Sequence, residues 1–187
     1  MTLLLGVSGM IDRMNAAIGR LVYWLVLIMV VVSSANAMMR YLFNISSNAW
    51  LEIQWYLFSA VFLLCAGYTH LRNEHIRIDV VTGRFSRRVQ TWIDIIGGVF
   101  FLLPMALILT VLSWPLAVEA FHNGEMSSDP GGLIRWPVKV LIPLGFTLLA
   151  LQGLSETIKR AAFLLGRGPD PGVKHGGAHA PAVGGQT

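Results

Sequence analysis

Two side chains able to exchange a proton, His75 and Asp79, stand four residues apart in "LRNEHIRIDVV" (residues 71–81). On a helix that spacing puts both on one face, within reach of each other. An imidazole beside a carboxylate belongs to hydrolytic triads, but this pair brings no nucleophile. It also supplies too few ligands for a metal centre, even with His70 and Glu74 close by in sequence. Elsewhere the chain has no nucleophile elbow, phosphate-cradling glycine loop, HExxH sequence or paired cysteines. No catalytic residue, cofactor site or metal ligand is therefore assigned. His75 and Asp79, with Ile76 turned to an apolar neighbour, read instead as an electrostatic clamp that fixes an interfacial turn. The link is a hydrogen bond or an ion pair depending on the charge of the imidazole, unless each residue pairs elsewhere.

The elements that must position this motif are set by a membrane. Hydrophobic residues make up 55% of the 187 positions and charged ones 13%, and the mean hydropathy is +0.62. Residues 21–39 carry no charged side chain, and residues 53–71 carry only His70 near their end. Residues 95–118 are uncharged over 24 positions, and residues 140–155 over 16, extendable past Lys139 if its stem snorkels to the interface. A helix needs about 20 apolar residues to cross the hydrocarbon. Soluble helices of this length would need polar faces, which these runs lack. The expected fold is an all-α membrane protein with four transmembrane helices. Short interfacial helices are expected before the first span and near residues 74–84.

Charge orients the bundle. Eleven of the 14 basic residues lie in the N-terminal arm, between spans two and three, and in the tail, against three (Arg40, Arg135, Lys139) on the other side. The positive-inside rule then places both termini in the cytoplasm. Anionic lipid headgroups are the natural partners of the basic side, and the net charge of +4 requires no nucleic acid. Residues 1–20 read as an interfacial arm continuing into a retained first helix, with no cleavage site after it. Residues 21–165 form the membrane domain. Residues 166–187, rich in Gly, Pro and Ala, read as a disordered cytoplasmic tail. Cys65 stands alone inside the second span, where packing explains a thiol.

The spans lack the interior carboxylates and basic residues of an ion route, and four mostly continuous helices lack the paired broken-helix repeats of a complete pump. Polar residues gather at helix ends instead: Glu52 and Gln54 open span two, Asp94 opens span three and Glu156 closes span four. Glu52 suits an end cap, an intersubunit contact, or both. Pro104 and Pro143 are candidate bends, and Ser86 a candidate start of span three.

"WLEIQWYLFSAVFLLCAGYTHLRNEHIRIDVV", above all Glu52, Gly67, His75, Ile76 and Asp79, resembles the small permease subunit, DctQ-like, of tripartite ATP-independent periplasmic (TRAP) transporters. "RRVQTWIDIIG" and "WPVKVLIPLGFTLLALQGLSETIKR" extend the resemblance over roughly residues 15–165. It implies a noncatalytic, multi-pass subunit in a bacterial inner membrane. The partners implied are a large DctM-like permease, which would couple sodium to movement of an organic acid or related solute, and a periplasmic solute-binding protein. This chain would scaffold the large subunit and help receive the binding protein, with Glu119, Glu125 and Asp129 offering charge at the outer links. An accessory subunit or scaffold of an unrelated membrane enzyme complex is the alternative.

Overall fold

The computed structural model describes residues 2–45, 47–72 and 85–168. His75, Ile76 and Asp79 lie outside the described residues, as does the tail beyond residue 168. Among the described residues the chain is four long helices, each long and apolar enough to cross a membrane. They are α1 (Thr2–Phe43), α2 (Asn48–Leu71), α3 (Arg87–His122) and α4 (Trp136–Leu164). The all-helical, four-span expectation holds.

The expected N-terminal arm is continuous with the first span. At 42 residues, α1 is about 63 Å long, roughly twice the hydrocarbon thickness. Ser8, Ile11, Asn15, Gly19 and Val22 are its buried residues. Their spacing of three or four residues draws one stripe down the helix, and that stripe packs the arm onto α2 and α4. Through that stripe residues 1–20, expected as an interfacial arm, also touch the bundle. At its other end α1 stops where Asn44 takes φ 52°, a left-handed conformation that asparagine tolerates better than most side chains.

α4 is the hub: it packs against α1, α2 and α3. Small residues let the backbones close up. A methyl at Gly145 would sit 2.7 Å from the Leu63 carbonyl oxygen of α2, and one at Gly153 would sit 2.4 Å from Leu102 of α3. On α1, Gly19 receives the ring of Tyr68, whose Cγ would be 2.5 Å from an added methyl.

α3 contains one wide turn. Residues Gly98–Leu102 form a π-helical segment in which the Leu103 amide donates to the Gly98 carbonyl five residues back. Pro104 follows directly. Proline has no N–H and its ring crowds the carbonyl four residues earlier, here that of Phe100, and a wider turn relieves that crowding. Pro104 thus marks a register change in the helix. Ser86 precedes α3, but its hydroxyl makes no capping bond. The Gln90 amide instead donates to the Phe85 carbonyl at 2.9 Å.

Because helices in hydrocarbon are held by close packing, Gly145→Ala should lower stability by about 1–3 kcal/mol through overpacking. Gly9→Ala, with nothing within 4 Å of the added methyl, should be neutral or stabilising by up to about 1 kcal/mol. Thermal unfolding of the two variants in one detergent checks the contrast.

Candidate functional site

The polar side chains gather in two clusters, one at each end of the bundle. At the end holding the α3–α4 loop, α2 places Asn48, Glu52 and Tyr56 one turn apart along one face. All three bind the loop. The Asn48 amide donates to the Pro130 carbonyl at 2.9 Å, and the Tyr56 hydroxyl to the Ile134 carbonyl at 2.9 Å. Between them both Glu52 oxygens are engaged. Oε2 accepts from the Leu133 backbone N–H at 2.6 Å, and Oε1 accepts from the Ser127 hydroxyl. A guanidinium nitrogen of Arg135 lies 3.4 Å from that same hydroxyl.

The loop is shaped to meet the carboxylate. Asp129-Pro130-Gly131-Gly132 turns the chain, with the Gly132 amide donating to the Asp129 carbonyl at 3.0 Å and Gly131 at φ 75°. The segments either side of the turn meet in an isolated bridge between Met126 and Ile134. An added methyl at Gly132 would meet Ser127 Cβ at 2.4 Å and Glu52 Oε1 at 2.8 Å, so only glycine fits. A cavity of about 480 Å³ lies beside this anchor, with Glu52, Tyr56, Asp129 and Arg135 among its walls.

The opposite end holds a buried network between α1 and α4. The Ser8 and Ser155 hydroxyls are 2.7 Å apart. Asp12 Oδ1 accepts from Ser155 and from the Gln152 amide, both at 2.8 Å. Gln152 Oε1 accepts from the Asn15 amide at 2.9 Å. Lys159 pairs with Asp12 Oδ2 at 2.9 Å and with Glu156. Arg160 reaches Glu156 at 3.5 Å and Asp94 of α3 at 3.2 Å. Glu156 and Arg160 are 6% and 7% exposed, so neither is a solvated end residue. At so little exposure each charge must be matched locally, and the alternating acids and bases do that.

This network explains one residue that carried the family resemblance. A methyl on Gly67 of α2 would lie 2.5 Å from Asn15 Oδ1 and 3.1 Å from the Leu148 carbonyl oxygen. Asn15 Oδ1 is buried without a hydrogen-bond partner, and the bare Gly67 backbone is what lies against it. Three helices converge at that point.

Several expected site residues have defined positions. Glu52 is an anchor within the chain. Glu125 is ion-paired with Lys139, the first residue of the fourth span to carry charge. Glu119 and Asp129 are exposed. The α1–α4 network was missed by sequence reasoning, apart from Glu156 and Asp94 as end residues. Asp12 and Lys159 are 147 positions apart, and nothing local links them. The readable signal was the periodic stripe through Ser8, Asn15 and Gly19.

A membrane bundle with both ends cross-braced and large apolar outer faces is the architecture of an integral membrane subunit. A family profile described as "Tripartite ATP-independent periplasmic transporters, DctQ component" matches residues 28–163, and the chain belongs to this family. It is therefore a multi-pass membrane component of a transporter. Comparisons with curated proteins and with solved structures each found no match.

Glu52→Ala removes the acceptor for the Leu133 amide while the Asn48 and Tyr56 bonds remain. Losing a charge-assisted bond of this kind should speed hydrogen exchange at Leu133 by about tenfold or more. Mass-spectrometric exchange over residues 125–135 checks it, with amides in the middle of α4 expected to stay unchanged.

Proposed function

We propose that this chain is the noncatalytic small subunit of a sodium-coupled TRAP transporter in a bacterial inner membrane. In this reading it scaffolds a large DctM-like permease and helps receive a periplasmic solute-binding protein carrying an organic acid or related solute. The observation that carries the reading is where the polar groups are. The buried charged and amide groups bind one another between helices, and the hydroxyls of Thr110, Ser113 and Thr147 bond to carbonyls of their own helices. Meanwhile α1 and α3 present exposed Trp24, Val31, Phe100, Phe101 and Leu112 outward. A bundle braced inside and apolar outside suits a part that holds a larger membrane partner.

Both termini are cytoplasmic in this proposal, which puts the α3–α4 loop outside, where the binding protein would arrive. Glu119 and Asp129 then offer carboxylates to a basic patch. Glu125 contributes through Lys139, so its charge reversal would disturb the loop as well as any docking. On the cytoplasmic side His75, Ile76 and Asp79 form the clamp that fixes the turn against the bundle or the large subunit.

Coproduction with a DctM-like permease should give copurification of the two chains. Asp79→Asn should reduce the permease recovered; full recovery with transport abolished would instead implicate Asp79 in the transport cycle. A cysteine replacing the exposed Ser128 should label with an impermeant reagent added outside the cell. Labelling only after the cells are opened would reverse the orientation.

A further inference from the structure

Two cavities between α1 and α2 share Ser33 and Gln54 as walls and so form one groove along the seam of the helices. The part toward the end of α1, about 710 Å³, is the more polar of the two and includes Arg40, Tyr41, Asn44 and Asn36. The deeper part, about 540 Å³, includes Met29, Trp55 and Phe58. No carboxylate lines either part among the described residues, although the deeper part adjoins the cavity beside Glu52 through Trp55 and Ser59. Arg40 is exposed and makes no ion pair with a described carboxylate. The Glu52 and Lys139–Glu125 contacts described above use neither Arg40 nor Gln54.

We infer that this groove holds one glycerophospholipid of the surrounding leaflet, with its phosphate at Arg40 and an acyl chain against Met29 and Phe58. Three features in register point to that occupant. A cation stands at the helix end, where a phosphate lies. The Asn36 amide comes next, about 6 Å down the helix, where it can donate a hydrogen bond to an ester carbonyl, and Ser33 and Gln54 line the shared wall below it. Apolar side chains follow. From Asn36 down to Met29 the helix descends about 10 Å, within the roughly 15 Å of one leaflet's hydrocarbon. The order cation, donor, hydrocarbon is that of a lipid read from headgroup to tail. An apolar helix from a partner would leave the Gln54 and Asn36 amides facing carbon, at the cost of unmade hydrogen bonds. This site lies at the end opposite the basic surface and does not depend on the chain's role in transport.

The test is native mass spectrometry of the full chain in detergent, titrated with palmitoyl-oleoyl phosphatidylglycerol. The wild-type chain should retain one lipid. Arg40→Gln should weaken retention about tenfold, since it removes the charge-assisted bonds to the phosphate. Ser33→Trp, which fills the shared wall of the groove, should also weaken it. Arg88→Gln, an exposed arginine at the other end, should leave it unchanged. Circular dichroism confirms that each variant keeps its helices. Equal retention by all four chains would mean annular lipid only and would overturn the inference. Weakening by one groove substitution without the other would also overturn it, as would displacement of the lipid by inorganic phosphate at equal concentration, which marks a small-anion site.

Discussion

A helix already in hydrocarbon gains nothing by hiding its leucines, so what binds one such helix to another is close backbone contact and buried polar bonds. Both are concentrated on α4. Gly145 and Gly153 bring α2 and α3 within touching distance, and Gln152, Ser155, Glu156, Lys159 and Arg160 tie α1 and α3 by hydrogen bonds and ion pairs. The other helices take their places by reference to this one. Without its small residues and its polar face, the α1–α2 seam at Gly19 and Gly67 would remain, but α3 would lose its close contact at Gly153.

The two polar clusters solve different problems. The α1–α4 network joins long helices and fixes their relative rotation and register. The Asp12 and Ser8 contacts to Ser155 allow one register between α1 and α4. The Glu52 cluster restrains a loop. Three side chains of α2, a turn apart, bind three backbone carbonyl or amide groups of the α3–α4 connection. The loop therefore holds Asp129 on a braced base, while Glu119 stands in the last turn of α3.

The spans were legible because hydropathy is a local property, and each helix announces its own length. Glu52 was legible as a polar residue opening a helix, though its loop partners were not, since a carboxylate cannot declare which distant N–H groups it will accept. The α1–α4 network stayed hidden for a related reason. Residues 1–20 look interfacial when judged by bulk and charge, because most of their large side chains are apolar. Their role is set by the stripe that faces α4, and a stripe acquires meaning only when its partner is known. Pro104 was readable as a local disturbance, but whether proline produces a kink or a wide turn depends on what the neighbouring helix allows.

The order in which the chain is made gives the hub position a temporal meaning. The ribosome delivers α1, α2 and α3 before α4, so three helices must enter the bilayer before the surface that unites them exists. During that interval Ser8, Asp12 and Asn15 have no α4 partners. Insertion and assembly are separated in this protein by its own connectivity. Truncation before residue 136 would leave three inserted helices without their common surface, a species that membrane quality control could recognise by its unmatched polar groups.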